Sequence, residues 1–136
     1  MKTRPELIES ILCDDIRQEV GNKASIMGIY WGGMIFIPNI QFVFAKLCVL
    51  QRWIKGEGEF AIKAMLLSPS KELLRVDLGR VNFIKDIPII HTGVNLCNVK
   101  IEEVGTYKLQ TFLDNETTPC HTFEFSIQLP PQAAGK

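Results

Sequence analysis

The chain has 136 residues, close to the commonest size for one domain and long enough to bury its own core without disulfide or metal cross-links. Fifteen basic residues balance fifteen acidic residues, so the formal net charge is zero. Since binding to nucleic acid or to an anionic membrane needs clustered Lys and Arg, this balance argues against both partners.

The first ten residues lack the apolar run of a secretory signal, and no later segment reaches the length of a membrane span. We therefore expect a cytoplasmic protein. In a reducing compartment Cys13, Cys48, Cys97 and Cys120 are expected to be free thiols, and none of them forms a CxxC pair.

The first predicted element covers residues 5–17, whose apolar positions fit a strand and fit a helix nearly as well. We predict a strand and keep the helix as an alternative. Glycine and asparagine at residues 21–23 then predict a turn, and a second strand is expected to follow it.

The segment CDDIRQEVGNK, residues 13–23, resembles a polar site because it gathers three acids, an arginine and a thiol. In a strand Asp15, Arg17 and Glu19 share one face, which gives a charge ladder typical of a solvated edge. Acid–base catalysis needs two carboxylates in different environments within a cleft, and this segment supplies no cleft. The alternative is a small-ligand or enzyme site in the loops, built around Asp14, Asp15, Arg17 and His91.

The segment YWGGMIFIP, residues 30–38, contains a glycine pair that could suggest a phosphate-binding loop. That chemistry needs a helix N-terminus after the glycines, whereas the β-rich MIFIP follows here. We therefore predict a hairpin or a bulge at the glycines. The aromatic residues of this region have no interleaved basic residues, which favours a core or an interface over the stacking of nucleic acid bases.

The next segment, residues 39–55, is apolar on both faces of the predicted strand. The odd positions Val43, Ala45, Leu47, Val49 and Trp53 are expected to face inward. On the predicted outer face, either MIFIP folds over the strand or another chain covers it. The candidate protein interface consists of the large apolar residues of that outer face: Phe42, Phe44, Leu50 and Ile54.

Later segments alternate between apolar and polar residues, the period of half-buried strands. Examples are Phe60 to Leu66 and Phe123 to Leu129, with turns expected at 55–58, 68–71 and 114–116. The segment Glu103-x-Gly105-x-Tyr107 resembles the tyrosine corner of immunoglobulin-like domains, in which the hydroxyl returns to an upstream backbone group. Antibody domains carry a cysteine where Leu109 stands, so the disulfide of those domains is not expected.

These elements predict an all-β fold, namely an immunoglobulin-like antiparallel β-sandwich of seven to nine strands with little helix. Residues 1–129 are expected to form a single domain, followed by a flexible tail at 130–136. We expect no metal, no cofactor and no catalytic residue. Cys120 and His121 leave opposite faces of a strand, and a pairing of Cys97 with His121 depends on a register that the sequence does not reveal.

A resemblance to a known family rests on residues spread over the first half of the chain and on the tyrosine segment. The chain resembles an uncharacterised family of small bacterial proteins, also seen near phage genes, that opens with a CDDIRxExGxK-like segment. The resemblance implies a β-sandwich and supplies no catalytic residue. The matching residues are Cys13, Asp14, Arg17, Glu19, Gly21, Lys23, Gly28, Tyr30, Pro38, Lys46, Leu47 and Cys48.

The sequence therefore predicts a non-catalytic cytoplasmic β-sandwich that acts as a protein-interaction module. Its expected partner is an unidentified protein or a second copy of the chain, and an origin in a phage or mobile element is a further hypothesis.

Overall fold

The computed structural model describes residues 2–131, which form nine β-strands in two sheets and one short 3-10 turn at Trp31–Gly33. The predicted all-β sandwich with little helix is confirmed. Within the described range, no helix has the length and the apolar character needed to cross a membrane. Residues 132–136 of the predicted tail lie outside the described residues. The strands are β1 Glu6–Glu19, β2 Lys23–Ile29, β3 Met34–Phe36, β4 Phe42–Ile54, β5 Gly58–Leu67, β6 Glu72–Phe83, β7 Ile89–Ile101, β8 Gly105–Leu113 and β9 His121–Gln128.

The four-stranded sheet has the order β2-β1-β4-β7, and the five-stranded sheet has the order β3-β9-β8-β5-β6. Every pairing is antiparallel except that of β3 with β9, which is parallel, so the fully antiparallel prediction is wrong at this edge. The reason is the glycine pair after Trp31. Gly32 and Gly33 adopt positive φ angles of 62° and 65°, and the chain crosses there from one sheet to the other. The glycines therefore lie in a crossover between the sheets, and the predicted hairpin or bulge is wrong.

The alternation expected of β5 and β9 is confirmed, except that Leu129 lies beyond the end of β9 and is exposed. Phe125 and Ile127 of β9 are buried, and the β5 positions from Phe60 to Leu66 with the same parity are buried as well. Tyr107 is fully buried, and its hydroxyl donates a hydrogen bond of 2.7 Å to the carbonyl oxygen of Glu103. This contact is the predicted tyrosine corner. The helix alternative for residues 5–17 is wrong, because they belong to the long strand β1.

The prediction that the odd-numbered residues of β4 face inward is correct for the second half of the strand and wrong for the first half. Leu47, Val49 and Trp53 face the core and are fully buried, whereas Val43 is half-exposed. Phe42 and Phe44 instead pack against the core, so the prediction that they face outward is wrong.

The change of parity in β4 comes from two consecutive residues, Ala45 and Lys46, that are both exposed. The partner strand β7 also has two consecutive exposed residues, Cys97 and Asn98, and Asn98 has a φ of 53°. Both strands thus exchange their inward and outward faces at the same level. The pairing of β4 with β7 keeps its register across this point.

A row of polar side chains divides the apolar core into two clusters. On β4, Gln51 lies between Val49 of the larger cluster and Trp53 of the smaller one. Gln51 pairs with Ser10 of β1 on one side and with Thr92 of β7 on the other.

The row continues into the five-stranded sheet through Thr111 on β8. The Gln51 Nε2 atom donates a hydrogen bond of 2.9 Å to Thr111 Oγ1, and both residues are fully buried. Thr111 in turn pairs with His121 on β9. Because a buried amide donor without an acceptor costs free energy, this bond between the two sheets favours their observed alignment.

Replacing Thr111 by Val removes the acceptor for Gln51 while keeping the shape of the side chain. We expect a loss of about 1 to 3 kcal/mol in the free energy of unfolding, the cost of a buried polar group without its partner. The matched control is Thr106→Val on the same strand, where the side chain is exposed; it should change stability by less than about 0.5 kcal/mol. Urea denaturation measures both, and equal stabilities of the two variants would contradict the assigned role of the Gln51–Thr111 bond.

Candidate functional site

The β1–β2 hairpin leaves the four-stranded sheet and crosses its outer face, the face turned away from the five-stranded sheet. Pairing of β1 with β4 ends at Cys13 opposite Cys48, whereas pairing of β1 with β2 continues to Glu19 opposite Lys23. Beyond Cys13 the chain passes over β4 and reaches β7. The side chain of Ile16 lies against Gly93 of β7, where its Cδ1 atom is 3.4 Å from the position that a Cβ atom would occupy.

Two glycines permit this crossing. Gly28 on β2 has a φ of 66°, and a Cβ atom there would lie 2.3 Å from the Asp14 carboxylate. The hairpin bends at this level because only glycine tolerates both the backbone angle and the close approach. Gly93 leaves the space into which Ile16 packs.

Asp15 fastens the hairpin to β4. One carboxylate oxygen lies 2.6 Å from Lys46 Nζ, and the other lies 3.2 Å from Arg17 Nε. Hydrogen bonds from Lys46 and then from Arg17 hold the pKa of Asp15 below its usual value. The ion pair therefore persists below the pH at which a free aspartate takes up its proton, and it is lost as the pH falls through the lowered pKa.

Of the predicted charge ladder, the pair of Asp15 with Arg17 is present, and Lys46 is a further partner that the sequence did not indicate. Glu19 does not pair with Arg17 and instead accepts a hydrogen bond of 2.7 Å from Ser25 of β2. Asp14 has a different role: its carboxylate accepts a hydrogen bond from the Tyr30 hydroxyl, and Tyr30 packs against the larger core cluster. Each acid of the segment thus has a partner that holds the hairpin or its bend.

The hairpin, rather than MIFIP, covers the apolar outer face of β4. Cys48, which alternation places on that face, has no exposed surface, and Leu50 is half-buried. MIFIP lies elsewhere, with Ile35 and Ile37 fully inside the core. The prediction that MIFIP folds over β4 is therefore wrong, and the chain supplies the cover from its first two strands.

A groove of about 720 Å³ remains beside the hairpin on the same face. Its apolar lining comes from β1, β2, β4, β7 and the loop before β7, and its charged rim carries both signs. Ile54, at the end of β4, lies just beyond it beside Ile89. The residues that give the groove its character are Ile11, Leu50, Ile87 and Ile89, with Glu9, Glu19, Lys23, Arg52 and His91 around them.

The structure does not bring His91 to the aspartates of the candidate polar loop site. His91 pairs with Arg52 on β4, while Asp15 binds Lys46 on the same strand. Those two β4 positions are about 20 Å apart at roughly 3.3 Å per residue. Cys97 and His121, the pair considered for a metal, lie in different sheets.

A second surface lies at the crossover between the two sheets. Trp31 is 93% exposed, although indole is among the largest apolar side chains. Four more large apolar side chains within ten consecutive residues are about half-exposed. We call this surface the Trp31 turn; its other members are Met27, Ile29, Met34 and Phe36.

One feature of the sequence, separate from the period of its apolar residues, marks the Trp31 turn. Residues 24 to 45 contain no charged side chain, and this segment includes the whole surface. The aromatic content of the segment had suggested a core or an interface without deciding which residues face outward.

Replacing Asp15 by Asn should loosen the hairpin without unfolding the sandwich. The change removes the charge that binds Lys46 and Arg17, so the hairpin opens more often and exposes the thiols of Cys13 and Cys48. We expect labelling of these thiols by N-ethylmaleimide, followed by mass spectrometry, to become roughly two- to fivefold faster. The matched control is Glu59→Gln, which removes an exposed ion pair with Arg80 in the other sheet; labelling rates equal to those of this control would contradict the role of Asp15.

Comparison with known proteins identifies a family. No curated protein matches the sequence. The profile of DUF6941, a family of unknown function, matches residues 9–127, which include the groove, the Trp31 turn and the β1–β2 hairpin from residue 9 onward. The predicted membership of an uncharacterised family is confirmed, while the CDDIRxExGxK-like opening of that family and its association with phage genes stay predictions. The chain is a member of the DUF6941 family.

Proposed function

We propose that the protein is a non-catalytic interaction module whose binding surface is the Trp31 turn. The observation that carries this proposal is a tryptophan 93% exposed on a fixed turn between two strands. Tryptophan is enriched among the residues that dominate binding energy at protein interfaces, and an apolar patch of this kind usually marks an interaction site.

The charge pattern supports a partner with an uncharged apolar pocket. Because residues 24 to 45 carry no charge, the Trp31 turn itself supplies no basic residue for binding phosphate or an acidic surface. The nearby charges of Arg17 and Lys46 are engaged by Asp15, which pairs with Met27. Burial of the indole in a pocket of a protein partner is the remaining source of affinity. A second copy of the chain is one form that this partner could take.

The rigid setting of the Trp31 turn also supports binding. The turn is held on one side by the amide of Tyr30, which donates to the Leu12 carbonyl oxygen, and on the other by the pairing of Ile35 with Ile127. A surface fixed before binding loses less conformational entropy on association.

We interpret the scaffold as immunoglobulin-like. The adjacent order β5-β8-β9, with the tyrosine corner on the penultimate strand, supports this interpretation, as does β1-β4-β7 on the facing sheet. The fold itself does not assign a function, since such sandwiches serve many.

A non-catalytic role agrees with the engagement of the polar residues near the hairpin. The acids of the hairpin segment bind Lys46, Arg17, Ser25 and Tyr30, and His91 lies far along the sheet from Asp14 and Asp15. We place the module in the cytoplasm, which its four free cysteines favour.

Replacing Trp31 by Ser tests the proposal. Tagged wild-type protein and the variant are used to capture partners from an extract of the native host, and each captured protein is purified and titrated by calorimetry. We expect Trp31→Ser to weaken binding at least tenfold while leaving the thermal midpoint unchanged, because the side chain is exposed. Size-exclusion chromatography with light scattering reports whether the partner is a second copy.

The matched control is Val20→Ser, since Val20 is 95% exposed at the tip of the hairpin and lies outside the Trp31 turn. Its affinity should stay within about twofold of wild type. The proposal fails if the purified partner binds wild type and Trp31→Ser equally, or if wild type binds no protein and stays monomeric.

A further inference from the structure

Cys13 and Cys48 face each other across two antiparallel strands at the place where the hairpin begins. They form the last residue pair between β1 and β4 before β1 separates from β4. Partners in such a pair share one face of the sheet, and their Cα atoms are about 4.5 to 5.5 Å apart. A disulfide needs a Cα separation of about 4.4 to 6.8 Å, so the backbone already has the spacing that a bond requires.

The surroundings of the pair make it a protected site. Neither cysteine has any exposed surface, although both lie on the outer face of the sheet, because the hairpin covers them. The Cys48 thiol donates a hydrogen bond of 3.1 Å to Asn95 Oδ1. Cys97, the exposed cysteine, lies on the neighbouring strand opposite Lys46.

We propose that Cys13 and Cys48 form a reversible disulfide that responds to oxidation and that locks the start of the β1–β2 hairpin to β4. The two residues are far apart in sequence, and only the register of β1 with β4 brings them together. This inference stands independently of the binding role of the Trp31 turn.

The oxidant is a low-molecular-weight disulfide, and the reaction proceeds by thiol–disulfide exchange. The Cys48 thiolate attacks the small disulfide, forms a mixed disulfide and releases one small thiolate. The Cys13 thiolate then attacks Cys48 Sγ, which forms the Cys13–Cys48 bond and releases the second small thiolate. The two protons lost by the protein thiols are taken up by the two released thiolates, so that two protein thiols are oxidised and one small disulfide is reduced to two small thiols.

Burial sets the rate of this exchange. It raises the pKa of the Cys13 thiol to about 11 and raises that of Cys48, so few thiolates form at neutral pH while the hairpin is closed. Opening of the hairpin admits both the oxidant and water. The rate of disulfide formation therefore reports how often the hairpin opens.

The disulfide would close a loop from residue 13 to residue 48, which contains the hairpin, the Trp31 turn and β3. Closing a loop of this length restricts the unfolded chain and stabilises the fold. Oxidation would thus hold the whole uncharged segment in its folded position.

The test incubates the full-length protein in glutathione buffers of increasing oxidising potential, blocks free thiols, and maps cross-linked peptides by mass spectrometry. We expect a Cys13–Cys48 cross-link as the main product, reversed by dithiothreitol, and a rise in the thermal midpoint of roughly 5 to 15 °C. If Cys13 and Cys48 remain free thiols in a buffer in which Cys97 is already modified, the proposal is overturned.

Two serine variants locate the bond. Cys48→Ser should abolish both the cross-link and the rise in thermal midpoint, whereas Cys97→Ser, the matched control on the neighbouring strand, should keep both. A main cross-link that includes Cys97 and is lost in Cys97→Ser would also overturn the proposal. The peptide map of the wild-type protein decides the matter even if Cys48→Ser does not fold.

Discussion

The structure depends on the departure of β1 from β4 after Cys13. Up to that residue β1 pairs with β4 and forms an edge of the four-stranded sheet, and beyond it β1 pairs only with β2, so that the hairpin lies across the outer face as far as Gly93. A sheet with two apolar faces needs a cover on each. The five-stranded sheet covers one face of β4 and the hairpin covers the other, so that a strand apolar on both sides is compatible with a single chain.

The two covers are held by different interactions and should therefore differ in stability. The five-stranded sheet packs through two apolar clusters and through the buried bond between Gln51 and Thr111. The hairpin is held by the partly exposed ion pairs of Asp15 and by the packing of Ile16. Since exposed ion pairs contribute little and a few apolar contacts open easily, the hairpin is the part of the fold most suited to regulation. It also leads directly into the Trp31 turn.

Local patterns allowed much of this fold to be predicted, and the failures occurred where the structure depends on contacts between distant segments. Alternation identified the inward face of β9, and the spacing around Tyr107 identified the corner, because each signal lies within one strand. The outward prediction for Phe42 and Phe44 failed because two consecutive exposed residues reverse the parity of β4, a change shared with β7. No single-strand pattern reveals such a reversal.

The same limit applies to the site. The pairing of Asp15 with Lys46 and of Cys13 with Cys48 follows from strand register, which the sequence does not contain in local form. The most direct test of the account is a nuclear Overhauser measurement on isotope-labelled protein in solution. Contacts from the Ile16 methyl protons to the Gly93 α-protons are predicted, because the hairpin lies over β7. Contacts of Ile16 with β2 alone, and none with β7, would show that the hairpin projects into solvent and would contradict the account.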